Sequence, residues 1–119
     1  MKILWTEHSK IKMRQYGLSQ QKVLGVLRKP ERTEKAIVPG LLAVMKTNKL
    51  FFKEKKLDIK KAWLQPKKSP GEIWVMYKTF KNRGESQKKI ISAWRYPGVT
   101  KPGDEIPIPE DIKTFIKSV

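Results

Sequence analysis

His8 is the single histidine of the chain, and imidazole is the side chain whose ordinary pKa suits proton transfer near neutrality. Lys12 follows one helical turn later, on the same face if the segment is helical. Much further along, Lys78 interrupts an aromatic stretch, and Arg95-Tyr96 closes another just before Pro97-Gly98. Together these types suit phosphodiester cleavage without a metal. Such cleavage needs one group to take the 2′-hydroxyl proton, another to protonate the 5′ leaving oxygen, and cations to steady the phosphorane. Near a helix N-terminus the charged form of His8 is disfavoured, which favours a neutral acceptor; a capping or packing histidine is the competing role. Lys12 suits a phosphate, or it is a solvated surface lysine. Arg95 presents a planar fork from a rigid strand end, with a structural salt bridge to Glu7 or Glu72 as the alternative. Lys78, desolvated among aromatics, suits a general base; otherwise it snorkels to the sheet edge. Tyr96 can stack a base or donate its phenol, or it is an ordinary rim tyrosine.

The charge balance points to the partner. Residues 1–99 hold 24 Lys and Arg against seven Asp and Glu, and the net charge of the chain is +16. A surface so positive attracts polyanions, because each neutralised phosphate releases condensed counterions. Nucleic acid is therefore the leading partner. In the last twenty residues the sign reverses: Lys101, Lys113 and Lys117 accompany Asp104, Glu105, Glu110 and Asp111. Without cysteine there is neither a disulfide frame nor a thiolate metal site, and one histidine with scattered carboxylates makes a zinc or di-metal centre improbable. No cofactor is implied. No stretch approaches the roughly 20 apolar residues that span a bilayer, and the N-terminus turns polar too soon for a signal peptide. The expectation is a cytoplasmic basic domain with no membrane partner. Four Trp, four Phe and three Tyr supply the area for one core.

The elements that must position these groups are read from caps and periodicity. Ile3-Leu4-Trp5 opens as a short strand. Thr6 caps a helix to about Tyr16, with Gly17 as its left-handed stop. Ser19 caps a second helix whose face is Val23, Leu24, Val26 and Leu27, and Lys29-Pro30 ends it. Glu31 to Val38 is a mixed segment broken by Pro39-Gly40. Leu41–Lys46 and Leu50–Lys53 suit a hairpin around Thr47-Asn48-Lys49. Residues 53–61 are lysine-rich, Ala62-Trp63-Leu64 is a short apolar run, and 65–71 form a break. Both alternating faces of Ile73 to Phe80 are mostly apolar, as in a central strand covered on both sides. Lys81 to Lys88 is a polar turn holding Arg83-Gly84, and Ile90 to Trp94 is the partner strand. Three prolines extend Pro102 to Pro109. Ile112, Phe115, Ile116 and Val119 then mark a short amphipathic helix; it docks on the parent domain or, in the sharper alternative, on a partner. The units are residues 1–99, a basic domain, and 100–119, a Pro-rich tail ending in that helix.

The run from Thr6 to Ser19 (Thr6-Glu7-His8-Ser9-Lys10-Ile11-Lys12-Met13-Arg14-Gln15-Tyr16-Gly17-Leu18-Ser19), followed by Val23, Leu27, Pro30 and Glu31-Arg32, resembles the uncharacterised bacterial domain families grouped around BrnT in the RelE-like toxin superfamily. Ile90-Ile91-Ser92-Ala93-Trp94-Arg95 is similar to the closing strand of BrnT-type toxins, with Trp94 in place of the first of two closing arginines. The likeness covers about residues 5–32 and 72–96. It implies an α+β fold: two N-terminal helices packed on a curved antiparallel sheet, with the short C-terminal helix in addition. It also implies a metal-independent endoribonuclease acting on RNA, ribosome-bound mRNA included, and silenced by an acidic or tightly docking antitoxin protein, with His8, Lys78 and Arg95 as working groups. The alternatives are a non-catalytic RNA-binding module, with Lys12 and Arg14 on phosphates and Trp94 and Tyr96 stacking bases, or a protein-interaction domain.

Overall fold

A computed structural model of the protein describes residues 2–36, 38–47, 71–98 and 100–117. The expected strand at Leu50–Lys53, the lysine-rich segment after it, the run Ala62-Trp63-Leu64 and the break as far as residue 70 lie outside the described residues. The described chain is α+β, with three helices and a five-stranded mixed sheet.

β1 (Lys2–Trp5) leads into α1 (Glu7–Tyr16) and α2 (Gln20–Arg28). Both helix starts follow from local chemistry. Thr6 and Ser19 hold extended backbone, and each side-chain oxygen accepts an N–H three residues on, from Ser9 and from Lys22, satisfying donors that the first helical turn leaves open. Gly17 closes α1 at φ 66°, a left-handed conformation that residues with a side chain rarely adopt. Pro30 forces the chain out of helix after Arg28. β2 (Arg32–Lys35), β3 (Leu41–Thr47), β4 (Glu72–Asn82) and β5 (Glu85–Tyr96) follow, and α3 (Glu110–Lys117) closes the described chain. Among the described residues no helix is long and apolar enough to cross a membrane.

The sheet order is β1-β5-β4-β3-β2. β2 to β5 pair antiparallel, but β1 runs parallel to β5, Trp5 lying beside Ile90. The expected wholly antiparallel sheet is therefore corrected to a mixed one. The reason is topological: the two helices separate β1 from the later strands, and such a crossover permits a parallel partner.

The alternation along β4 divides the core. Ile73, Val75 and Tyr77 point to one face, where Met13, Leu18, Val23 and Val26 of the helical segment pack with Ile90 and Ala93. Trp74 and Met76 point to the other, where Ile112 and Ile116 of α3 pack with Ile91 and Trp94. The two sides are called here the helical face and the tail face. A bulge in β5 lets them coexist: Tyr77 pairs Ile90 while Met76 pairs Ser92, leaving Ile91 as the extra residue. Ile91 and Trp94 thus share the tail face, whereas Ala93 and Arg95 take the helical side.

Candidate functional site

α1 is tied to β5 at its start. The Thr6 N–H and hydroxyl both donate to the Ile90 carbonyl, at 3.4 and 2.7 Å, and the Ser9 hydroxyl donates back to the Thr6 carbonyl at 2.7 Å. β1 pairs β5 only as far as Ile90, so α1 takes over along the rest of that edge. This seating brings the Nε2 of His8 to 3.2 Å from the hydroxyl of Ser92. On its other side the imidazole stacks on Phe115 of α3, with centroids 3.6 Å apart and planes 4° from parallel. One turn down α1, the Lys12 ammonium pairs with the Asp111 carboxylate. Burial lowers the His8 pKa from 6.5, and the nearby Lys12 charge lowers it further, against a smaller upward pull from Asp111. The shift favours the neutral imidazole, through burial and Lys12.

Lys78 shares the tail face with this group. On β4 it lies two residues from Met76, the partner of Ser92, and directly opposite Lys89. Its side chain is exposed. The expected desolvation among aromatics is corrected, because the buried part of that face ends at Met76 and Lys78 lies beyond it.

Arg95 lies on the opposite, helical face. Its Nε donates to the Tyr16 carbonyl at 2.7 Å and a terminal nitrogen to the Gly17 carbonyl at 3.3 Å. These are carbonyls that the end of α1 leaves without helical partners. Among the described residues Arg95 forms no ion pair with Glu7 or Glu72. The expected grouping of Arg95 with His8 and Lys78 is corrected: the pleat that carries His8's partner Ser92 to one side carries Arg95 to the other.

Trp94, expected to stack bases, is fully buried and lies parallel to Trp74, with ring centroids 6.2 Å apart. It is a core residue, and its indole N–H meets no acceptor among the described residues. Tyr96 is half-buried at the rim, its ring filling the space where a side chain on Gly98 would stand. Arg14 is exposed in the last turn of α1, two residues past Lys12 and so on another side of the helix.

Sequence reasoning missed three participants. Ser92 is an unremarkable small residue within a strand. Phe115 and Asp111 belong to the amphipathic tail helix, whose stripe was legible but whose target was not. A separate buried cluster holds the tail's root. The Glu72 carboxylate accepts from the Trp74 indole N–H at 3.1 Å and from the Thr100 N–H and hydroxyl at 2.9 Å. Arg32 donates to the Thr100 hydroxyl and, at 3.2 Å, to the Asp104 carbonyl. Among the described residues no three His, Cys, Asp or Glu side chains come close enough to hold a metal ion.

Beyond Leu41 of β3, β4 and β5 continue as a ribbon, flanked by β1 as far as Gln87 and two-stranded only over residues 81–86. Residues 78–89 carry Lys78, Lys81, Arg83, Lys88 and Lys89 against Glu85 alone. Its turn, Asn82 to Glu85, has φ 52° at Arg83 and 82° at Gly84, the double positive of the hairpin turn that favours Asn-Gly. Comparison with family models, with curated proteins and with solved structures gives no match to this chain.

Proposed function

We propose that the protein binds single-stranded RNA along the β4–β5 ribbon and the adjoining tail face. The observation that carries this reading is the Lys78–Lys89 pair. Two ammonium groups set directly opposite on one face repel each other, and a polyanion lying across them turns that repulsion into attraction. Arg83 supports it independently: a cation occupies a left-handed position where Asn would be relaxed. Cations kept at such cost belong with binding rather than with folding. Phe80, half-buried between these charges on the same face as Lys78, offers a ring for stacking.

The test is affinity for a decaadenylate RNA as a function of salt. Each ribbon contact contributes about 0.7 to the slope of log affinity against log salt on a single strand. Lys78→Gln, Lys89→Gln and Arg83→Asn should each weaken binding and flatten that slope. Equal affinity for the triple variant and the wild type overturns the reading; equal affinity for DNA of the same length removes the preference for RNA.

A second reading, a metal-independent endoribonuclease of the BrnT-like, RelE-like kind, is favoured by the neutral His8 held 3.2 Å from Ser92. In it His8 takes the 2′-hydroxyl proton, water protonates the departing 5′ oxygen, Ser92 orients the ring, and Lys12 and Lys78 steady the phosphorane. Cleavage in EDTA that His8→Ala abolishes while binding survives supports it. Intact RNA after prolonged incubation, free or with ribosomes, leaves the binding reading alone.

A further inference from the structure

His8 and Lys12 stand one turn apart on α1; Asp111 and Phe115 stand one turn apart on α3. The two pairs meet ring to ring and cation to anion. The ring pair lies 3.6 Å apart and within 4° of parallel, the geometry of a base on an aromatic platform. The Asp111 carboxylate sits on the Lys12 ammonium as a phosphate oxygen would. We propose that the His8–Lys12 face of α1 is a nucleotide subsite, taking a base on the imidazole and a backbone phosphate on Lys12, and that Phe115 and Asp111 occupy it in the free protein as a stand-in for that nucleotide.

The anchoring of α3 fits a displaceable occupant. Ile112 and Ile116 are fully buried and hold the helix to the tail face, while Phe115 is half-buried at the edge and Asp111 exposed. The occupant matters most to Lys12, whose side chain keeps only 12% exposure beside an Asp111 side chain that keeps 52%. The root of the tail is fixed separately, by Glu72 on Thr100 and by Arg32 on Asp104. Residues 105–109, two of them proline, join that root to α3, so the helix can yield its two rim residues, or lift, while remaining tethered. A neutral imidazole is the better stacking surface beside Lys12, and burial shifts His8 toward that form. Ser92, beside the subsite, lies on the same face of β5 as Lys89, so one strand can run from the ribbon onto α1.

This inference rests on the RNA-binding reading, and the experiment separates the two. Affinity of the full chain for decaadenylate RNA is measured for wild type, for Asp111→Asn/Phe115→Ala, and for that double variant carrying His8→Ala, each checked for folding by near-ultraviolet circular dichroism. The double variant should bind several-fold more tightly with a steeper salt slope, and His8→Ala should cancel the gain. A double variant that binds like wild type, while the ribbon substitutions still weaken binding, overturns the subsite and leaves the ribbon reading intact. No binding by any form at low salt overturns both. If the double variant does not fold, proton NMR of the wild type decides. On saturation with the same RNA the Phe115 ring signals should lose the shift imposed by the His8 ring. Signals that stay in place overturn the proposal.

Discussion

The Nε of Arg95 donates to the Tyr16 carbonyl oxygen at 2.7 Å, so the strand that fixes the start of α1 also holds its end. Ten helical residues rise about 15 Å, and the stretch of β5 from Ile90 to Arg95, which with its bulge spans only Tyr77 to Ile73 of β4, covers about 14 Å; the two elements are close in length and joined at both ends. The charge of Arg95 also suits the negative end of the helix. Replacing Arg95 by Ala should destabilise the fold by about 1–3 kcal/mol, the range for a lost charged hydrogen bond that leaves acceptors short of partners. Arg95→Lys should recover part of that. Urea unfolding measures both, and a change in RNA affinity larger than one lost charge explains would return Arg95 to the binding site.

Glu72 governs the root of the tail. Removing its carboxylate strands the Trp74 indole N–H and the Thr100 N–H and hydroxyl, each such buried donor costing about 1–3 kcal/mol. Glu72→Ala should therefore lower stability and, more specifically, speed amide hydrogen exchange in residues 100–117 before the sheet itself opens. Exchange that accelerates uniformly across the protein would show that Glu72 supports the whole fold and not the tail.

Acidification should weaken the molecule through His8. Its folded pKa lies below 6.5 because of burial and Lys12, so between the two values the unfolded chain binds more protons than the folded one. Stability therefore rises with pH in that window, is fully present above 6.5, and is lost as pH falls through the folded value. Asp111, held below its ordinary 3.8 chiefly by its hydrogen bond from Lys12, contributes the same sign only under more acid conditions. The wild type should melt lower at pH 5 than at pH 7.5, and His8→Gln should remove the part of that difference owed to the imidazole.

The ribbon should show stability and binding moving in opposite directions. Lys89→Gln relieves the repulsion from Lys78 and should stabilise by about 0.2–1 kcal/mol. Arg83→Asn relaxes a left-handed residue and should stabilise by roughly 1 kcal/mol. Both should weaken RNA binding. Thermal melts and salt titrations on the same preparations check the pair of signs.

What could be read from the chain was what its neighbours decide. Thr6, Gly17, Ser19 and Pro30 act within three or four residues, and both helices begin and end where those residues require. The two-faced alternation of Ile73 to Phe80 likewise announced a central strand. Long-range outcomes were not legible. Nothing near Arg95 in sequence marks the Tyr16 carbonyl as its partner, and nothing near His8 marks Phe115. The turn from His8 to Lys12 was readable as one face; that the face meets α3 depends on Ile112 and Ile116 filling the far side of the sheet. Trp94 was misjudged because its position follows from the parity of β5, which one extra residue sets.

That extra residue, Ile91, sets Ile90 and Trp94 on opposite sides although four positions separate them. Removing Ile91 alone would leave Tyr77 against Ile90 and Met76 against Ser92, so Trp94 and Arg95 would keep their sides. Losing a residue from the regular stretch between Ser92 and Trp94 would instead turn the strand's end over, sending the Trp94 indole among the helices and the Arg95 guanidinium beneath α3. The closing strand can therefore spare its bulge but not a residue of the run that follows it.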